Sequence, residues 1–450
     1  MSTLAYSNFF IEELINLTEK IDTPSPVRLG KVVRVVGLTI EVVGLSAQIG
    51  SQCQIHVKNG KDKYIDAEVI GFNDSKTYLM ALQTIDGIKP GSLVRLFRND
   101  SNCPVGDELL GRVLDGQGNP IDQKGKINFD HDILLDGPAI NPLERGQVKD
   151  ILDTGIKAIN STLTFGEGQR MGLIAGSGVG KSVLLGMLAR NTKADIVVIG
   201  LIGERGREVQ EFIKSTLGEE GLKKSIIVAA PIDVSPVMRI KAAKYTHAIA
   251  EYFAGSGKKV LLLFDSLTRV AHAQREIGLA TGEPPTTKGY TPSVFSLLPK
   301  LIERAGMGKN NLGSISAFYT VLAENDDKND PIVDLSRATL DGQIMLSRSL
   351  ADSAHYPAID LEGSISRLSS TLLDPRQFRY AQKLRKYWTL YKQKEDLIQV
   401  GAYAAGSDAE IDMAIKIKSE IDKFLTQESL EQVSFEDSIE QVINIISTNA

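Results

Sequence analysis

A glycine-rich turn at residues 175–182 reads Ala175-Gly176-Ser177-Gly178-Val179-Gly180-Lys181-Ser182. The apolar run 171–175 leads into the turn, and residues 182–189 have the composition of a helix. In this setting the backbone N–H groups curl around phosphate oxygens, the lysine reaches the β- and γ-phosphates, and the serine hydroxyl binds Mg²⁺. Ala175 replaces the first glycine of the strict pattern and is small enough to do so. The turn therefore predicts a P-loop for a nucleoside triphosphate.

Two acidic residues follow apolar runs farther along the chain. Asp265 ends the run 260–264, and Glu204 comes just after the run 196–202. Because parallel sheets place their sites at the carboxyl ends of the strands, we expect both carboxylates beside the P-loop. Asp265 suits a water-mediated Mg²⁺ anchor, although a buried strand followed by a capping aspartate is the simpler alternative. Glu204 is a candidate for orienting the attacking water.

Length and composition limit the class of protein. The chain has 450 residues, of which 42% are hydrophobic and 24% charged, and a formal net charge of −5. These values predict several folded domains and exclude a single small module, wholesale disorder and a dedicated nucleic-acid coat. Cys53 and Cys103 form no zinc or disulfide pattern. The apolar runs fall short of the roughly 20 residues that span a bilayer, and the start lacks a signal-peptide pattern, so we expect a cytoplasmic protein.

The hydrophobic patterns divide the chain into four parts. Periodic apolar residues before the Thr23–Pro26 break predict an amphipathic helix, and the short Val/Ile-rich runs that follow predict a β-barrel. Alternating strands and helices then predict a parallel sheet covered on both faces. The last part of the sequence is predicted to be helical. The predicted parts are an N-terminal helix (1–24), a β-barrel domain (25–98), an α/β ATPase domain (99–372) and a C-terminal helical domain (373–450).

Several motifs together resemble one family. They are the P-loop, Gly203-Glu204-Arg205, Leu263–Arg269, Gly282–Pro285 with Gly289–Phe295, and Ser364-Ile365-Ser366-Arg367. In combination they are similar to the export ATPases of the bacterial flagellum and of type III secretion systems, relatives of the catalytic subunit of rotary ATP synthases. The resemblance implies a RecA-like ATPase domain between the barrel and the helices. The chain length and the segment 106–122 favour the flagellar branch over the injectisome.

The resemblance assigns catalytic roles to four residues of this chain. Glu204 matches the catalytic glutamate, and Arg205 is its neighbour in the motif. Lys181 matches the lysine of the P-loop, and Arg269 would lie near the γ-phosphate. ATP is the implied substrate.

The resemblance also implies a metal site, a base site and a residue that acts between subunits. Ser182 and Asp265 would hold Mg²⁺ directly or through water, and Tyr356 would stack on adenine. Arg367 matches the arginine finger that reaches into the site of the adjacent subunit, a role worth about 10³–10⁵ in rate. Judged from the sequence pattern alone, Arg367 is an ordinary surface arginine.

The family logic predicts the assembly and its partners. A chain that carries both the catalytic glutamate and the finger can complete a site at every interface of a homohexamer. The 281–290 stretch would face the pore of such a ring or form an ordinary surface loop. Implied partners are a stator or regulatory protein at the N-terminal helix, export gate and stalk proteins, and export chaperones and substrates. These partners would hold the protein peripherally at the inner-membrane export apparatus. The alternative to a docking role for the N-terminal helix is that it packs on the barrel.

Two other hypotheses belong to different classes. A catalytic-type subunit of a rotary ATP synthase would need a partner subunit for activity. A hexameric nucleic-acid translocase also places a barrel before a P-loop core, and residues 25–98 carry ten Lys/Arg against six Asp/Glu. Barrels that bind single strands interleave basic residues with exposed aromatics, whereas the few aromatics here mostly adjoin strand ends. We therefore expect no nucleic-acid partner.

A non-catalytic structural subunit is a third alternative. Such subunits commonly lack the glutamate or a complete P-loop, and this chain has both.

Overall fold

The structure, a computed structural model, describes residues 29–59, 61–99, 102–129, 131–323 and 330–448. The chain divides into two compact units, one ending at Asn99 and the other beginning at Asp100. The predicted N-terminal helix lies outside the described residues, and the four predicted domain limits stay predictions. Within the described part of the chain, no helix is long and apolar enough to cross a membrane.

The first unit contains a closed antiparallel barrel with the strand order β1-β2-β5-β4-β3-β6. Alternate residues point inward, so that Ile40, Val42 and Ile55 are fully buried in its core. The predicted barrel is therefore confirmed. Its fifth strand was not predicted. The strands are β1 (Leu29–Val36), β2 (Thr39–Val43), β3 (Gln52–Asn59), β4 (Lys61–Asn73), β5 (Lys76–Ala81) and β6 (Leu93–Arg98).

The second unit is built on a mainly parallel sheet with the order β17-β16-β10-β15-β13-β11-β12-β8. The neighbours from β16 to β8 are parallel, whereas β17 and β14 add antiparallel edges, and β7 pairs separately with β9. These strands are β7 (Asn102–Val105), β8 (Val113–Leu114), β9 (His131–Leu134), β10 (Arg170–Ala175), β11 (Ile196–Ile202), β12 (Ser225–Ala230), β13 (Lys259–Asp265), β14 (Gly306–Met307), β15 (Ser314–Leu322), β16 (Gly342–Leu346) and β17 (Ile359–Ser366).

Helices cover both faces of this sheet. Leu261 and Leu263 of β13 pack on one face, whereas Val260, Leu262 and Phe264 pack on the other. Burial on both sides explains why β13 is a continuous apolar run, as predicted for a parallel strand. The helices are α1 (Lys157–Thr162), α2 (Lys181–Asn191), α3 (Gly206–Glu211), α4 (Gly218–Lys223), α5 (Pro236–Gly255), α6 (Leu267–Ala280), α7 (Pro292–Ile302), α8 (Pro331–Thr339), α9 (Arg348–Asp352), α10 (Ser369–Leu372), α11 (Pro375–Gln399), α12 (Ala409–Leu425) and α13 (Phe435–Thr448).

The stretch 207–217, whose composition predicts a helix, has a mixed local form. It is α3 followed by a π-helical turn, Phe212–Leu217. In a π-turn residues five apart share a face, and Phe212 and Leu217 are both buried in the core.

The chain ends in a helical region that packs on one face of the sheet. Asp374 caps α11 with a complete capping box, and Pro375 occupies the first turn. Trp388 of α11 is 1% exposed and shares a core with Ile417 and Ile421 of α12. The predicted C-terminal helical region is confirmed, and α12 buries an apolar face that includes Ile411, Ala414 and Phe424.

Candidate active site

The P-loop joins the carboxyl end of β10 to the first turn of α2. Ala175 is buried at the strand end, whereas Ser177 and Gly178 are exposed. Gly178 and Gly180 have φ values of 77° and 88°, in the left-handed region that favours glycine. The turn therefore exposes backbone N–H groups at a helix N-terminus, where the helix dipole favours an anion.

Lys181 of α2 joins the two predicted carboxylates. Its Nζ donates to both carboxylate oxygens of Asp265, at 2.6 and 2.7 Å, and lies 3.5 Å from Oε1 of Glu204. These side chains are only 6–12% exposed. Burial alone would lower the pKa of Lys181, but Asp265 and Glu204 outweigh it and raise that pKa above its ordinary value. The ammonium thus balances two buried carboxylates.

Glu204 has an unusual proton affinity. Burial and the negative charge of Asp265 raise the pKa of the Glu204 carboxyl to about 7, although Lys181 opposes the shift. Glu208 raises it further through a hydrogen bond. A carboxyl that titrates near neutrality at the end of β11 is suited to hold or accept a proton at physiological pH.

Arg269 lies in the first turn of α6. It is directly beside Gly203, the residue that precedes Glu204 in the chain. A Cβ placed on Gly203 would lie 2.6 Å from Cβ of Arg269, so glycine is needed for this approach. Nε of Arg269 is buried and has no hydrogen-bond partner among the described residues. Arg269 and the P-loop residues Gly176 and Ser177 line one cavity of about 320 Å³. Arg269 therefore lies beside the P-loop and has one guanidinium donor without a partner among the described residues.

Tyr356 lies on the other side of the P-loop. A Cβ placed on Gly180 would lie 3.3 Å from Cε1 of the tyrosine, which puts the ring against the start of α2. The residue is 43% exposed. An exposed aromatic face at this position can stack on a base whose phosphates lie in the P-loop.

Arg367 lies far from the P-loop of its own chain. It follows β17, and its backbone N–H donates to the carbonyl of Asp341, whose own N–H donates to the carbonyl of Arg170 at the start of β10. Nη2 of Arg367 donates to the carbonyl of Arg337 at 2.8 Å. From Arg170 to Ala175 the strand rises about 16 Å, so Arg367 and the P-loop are at opposite ends of β10.

Comparison with known proteins agrees with this architecture. Models of the ATP synthase alpha/beta family match residues 155–366 (nucleotide-binding domain) and 32–96 (beta-barrel domain), and a model of the T3SS EscN ATPase C-terminal domain matches 373–444. The flagellum-specific ATP synthase of Pseudomonas aeruginosa is 51% identical over 440 residues, covering 97% of this chain and 98% of that protein. This chain belongs to the family of flagellum-specific ATP synthases and type III secretion ATPases. It is an ATPase.

Other members of the family extend the comparison. The type 3 secretion system ATPase of Xanthomonas euvesicatoria is 45% identical, with 93% of this chain and 94% of that protein covered. The assembled ATPase EscN of the enteropathogenic E. coli type III secretion system has a TM-score of 0.87 at 40% identity, covering 93% of this chain and all of that one. EscN in complex with its central stalk EscO has a TM-score of 0.84 at 39% identity. The stated resemblance and the three-part fold class are confirmed, and the relatives do not favour the alternative hypotheses.

The structure brings together most of the predicted site residues of this export-ATPase family member. Lys181, Glu204, Asp265 and Arg269 converge around the P-loop, and Tyr356 lies against it, while Ser182 is exposed in the first turn of α2. Two predicted residues lie apart. Arg205 is 78% exposed and pairs with Glu208 at 3.6 Å. Arg367 is at the opposite end of the sheet. The roles of all these residues stay predictions.

Sequence reasoning missed two residues of the site. Thr320 of β15 donates through Oγ1 to Oδ1 of Asp265 at 2.6 Å. Nη2 of Arg348 donates to the carbonyl of Ser177 in the P-loop at 3.2 Å. A threonine in an otherwise apolar strand end was a usable signal for Thr320, because parallel strands align their carboxyl ends. No comparable pattern marks Arg348.

Proposed function

We propose that this chain hydrolyses ATP with Mg²⁺ in a homohexameric ring whose sites are shared between adjacent subunits. The hydrolysis supports protein export through a type III apparatus, including release of chaperones and unfolding of export substrates. Among the two branches of the family we favour the flagellar one, since the flagellar relative is 51% identical and the Xanthomonas secretion ATPase 45%.

The location of Arg367 carries the shared-site proposal. Its guanidinium is exposed and lies at the amino end of β10, whereas Lys181 follows the carboxyl end. The separation of about 16 Å along the strand exceeds the reach of an arginine side chain. A finger role for Arg367 is therefore compatible with the site of an adjacent subunit and not with its own. One chain then provides both halves of the site, as a ring of identical subunits requires.

The residues around the P-loop have distinct roles in this proposal. Lys181 and the loop amides hold the phosphates, and Glu204 orients the attacking water. Arg269 stabilises charge near the γ-phosphate with its unpaired Nε, and Tyr356 stacks on the base. When the phosphates arrive, Lys181 turns from the carboxylates to the nucleotide, which frees Asp265 and Glu204 for their roles. Arg205 has no assigned step, because its side chain points into solvent against Glu208.

The donor set fits Mg²⁺. The Asp265 carboxylate and the Ser182 hydroxyl are hard oxygen donors, and Mg²⁺ is bound typically by one or two carboxylates together with substrate phosphates. The Lys181 ammonium on Asp265 marks this carboxylate as a cation partner. The metal would supply charge neutralisation between the β- and γ-phosphates.

The relatives support the assembly and one partner. EscN is described as an assembled ATPase, and also in complex with its central stalk, so we propose a ring and a stalk protein for this chain as well. We further propose a stator or regulatory protein at the N-terminal helix, export gate proteins, and a cytoplasmic location with peripheral attachment to the inner-membrane export apparatus through these partners.

The test is ATP hydrolysis by the purified chain as a function of its concentration, with native mass spectrometry at the same concentrations. We expect specific activity to rise steeply as hexamers appear, and to be unchanged by added RNA or DNA. Specific activity that is independent of concentration, with only monomers detected in the presence of ATP and Mg²⁺, would contradict the shared-site proposal. Strong stimulation by RNA or DNA would favour the translocase hypothesis instead.

A further inference from the structure

The segment between α12 and α13, residues 426–434, lies against the end of the P-loop helix. Nη2 of Arg190 donates to the carbonyl of Ser429 at 2.6 Å, and Nδ2 of Asn191 donates to the carbonyl of Glu431 at 3.1 Å. Nε2 of Gln432 donates in return to the carbonyl of Asn191 at 3.1 Å. This connecting segment therefore ties the C-terminal helices to α2, the helix that begins at the P-loop.

Gln427 is the buried anchor of the connecting segment. Its side chain is 4% exposed. Oε1 accepts the backbone N–H of Lys157 at 2.8 Å, and Nε2 donates to the carbonyls of Gly155 and Glu431 at 2.8 and 2.9 Å. The amide thus bonds to the first residue of α1, to the backbone just before that helix and to the connecting segment itself. A buried amide with all these bonds made holds its backbone in one position.

The backbone of Gln427 is bonded to Tyr356, the residue that lies against the P-loop. Its N–H donates to the carbonyl of Tyr356 at 2.9 Å. The preceding side chain, His355, packs against Trp388 of α11 with ring centroids 5.7 Å apart. Elements of the C-terminal region therefore contact Tyr356 and its neighbour from two directions, while the tyrosine ring itself is free to meet a ligand over Gly180.

The geometry points to Gln427 as a positioning residue for nucleotide binding, which acts by holding Tyr356 in the orientation that stacks on the base. This inference rests on the proposed role of Tyr356. Gln427 itself does not touch the nucleotide. It fixes the tyrosine in advance, so that binding does not have to order it.

The physical consequence is selective. Loss of the Gln427 side-chain amide removes its hydrogen bonds to Gly155 and Lys157. The backbone N–H of Gln427, which donates to the carbonyl of Tyr356, is then no longer held in place. The tyrosine then has to be ordered when the base binds, which weakens binding of the base. The phosphates contact the P-loop, and Tyr356 is not part of this loop. Binding of the phosphates is therefore expected to be unchanged. The C-terminal helices would in this way influence nucleotide affinity through one amide.

The experiment compares Gln427→Ala with Ser429→Ala in the full chain. Ser429 is exposed and contributes only its carbonyl to the contact with Arg190, so its substitution is a matched control. Affinities for ATP and for inorganic tripolyphosphate, which has no base, are measured by titration calorimetry, and KM and kcat by steady-state hydrolysis. We expect Gln427→Ala to weaken ATP binding and raise KM about five- to tenfold, with kcat and tripolyphosphate affinity unchanged. Ser429→Ala should change none of these.

Two further variants separate the possible failures. Gln427→Met keeps the side-chain volume without the amide, and should reproduce the effect of alanine if the hydrogen bonds are responsible. In a Tyr356→Ala background, Gln427→Ala should have no additional effect on ATP affinity. Equal weakening of ATP and tripolyphosphate by the Gln427 variants would overturn the inference, as would unchanged ATP affinity. If Tyr356→Ala itself leaves ATP affinity unchanged, the proposed role of the tyrosine fails first.

Discussion

Arg367 and Lys181 of one chain lie at opposite ends of the same parallel sheet. Lys181 follows the carboxyl end of β10, where it is paired with Asp265 at 2.6 Å. Arg367 follows β17 and is level with the amino end of β10, with its guanidinium on the carbonyl of Arg337. A single subunit therefore has the residues predicted to bind phosphate at one end of the sheet and the exposed Arg367 at the other.

The pH dependence of hydrolysis should follow the ionisation of Glu204. Its pKa is raised to about 7, chiefly by burial and by Asp265, and only the ionised carboxylate can orient and polarise water. Activity is therefore expected to be full above this pKa and to be lost as the pH falls through it. For one group of this pKa, kcat/KM should fall about tenfold between pH 8 and pH 6. Steady-state kinetics in constant-ionic-strength buffers would measure it.

The control for this prediction is Glu204→Gln, which removes the titrating group. We expect the variant to keep ATP binding and to lose about 10²–10⁴ in kcat, with no remaining inflection near pH 7. A wild-type profile that is flat from pH 6 to 8 would show that Glu204 does not control the reaction.

The ion pair of Lys181 and Asp265 predicts a stability effect that needs no nucleotide. Both side chains are nearly buried, at 12% and 6% exposed, so Lys181→Ala leaves two carboxylates without their cation. We expect a loss of about 3–5 kcal/mol in unfolding free energy near neutral pH. Addition of Asp265→Asn should recover part of that loss. Urea unfolding followed by circular dichroism would test both, and a fully additive double variant would argue against the pairing.

Arg269 should distinguish ATP from ADP. Its Nε is buried without a partner among the described residues and lies beside Gly203 at the end of β11, so a γ-phosphate would satisfy it. Arg269→Lys keeps the charge but removes this donor and the planar fork. We expect the variant to bind ATP about tenfold more weakly than the wild type while ADP affinity stays the same, since a hydrogen bond to a charged group is worth about 1.5–3 kcal/mol. Equal loss for both nucleotides would place Arg269 elsewhere in the site.

The ring of Tyr356 should matter more than its hydroxyl. Tyr356 is 43% exposed and its ring lies against Gly180, so stacking on a base uses the face of the ring. Tyr356→Ala should weaken ATP binding about tenfold, within the range of about 1–3 kcal/mol for base–aromatic stacking, whereas Tyr356→Phe should be close to wild type. Calorimetric titration with ATP measures the difference. If the phenylalanine variant is as weak as the alanine variant, the hydroxyl is the contact and the stacking role is wrong.

Local sequence patterns were sufficient for the parts of the fold that are buried on both sides. β10, β11 and β13 are continuous apolar runs, and the carboxylates Asp265 and Glu204 follow two of them. Their meeting with the P-loop lysine could be predicted because parallel strands bring their carboxyl ends to one edge. By contrast, the edge strand β17 and its neighbour β16 bury only some of their residues, so their pattern is weak and they were not predicted.

The contacts that join distant segments could not be predicted from local pattern. Thr320 meets Asp265 because β15 and β13 are neighbours in the sheet, an order that the linear sequence does not state. Gln427 anchors residues 155–157, about 270 positions earlier in the chain. The proposed functions of Tyr356 and Arg367 came from family resemblance, and only the structure placed one against the P-loop and the other at the far end of the sheet.

The most direct test of the shared site is a mixed ring of two inactive variants. Glu204→Gln and Arg367→Ala subunits with different affinity tags are co-expressed, and rings carrying both tags are purified. Each variant alone should have little activity. In random mixed rings about a quarter of the interfaces join an intact Glu204 to an intact Arg367, so measurable hydrolysis, up to about that fraction of wild type, is predicted. Mixed rings no more active than the separate variants, or an Arg367→Ala chain as active as the wild type, would contradict the account.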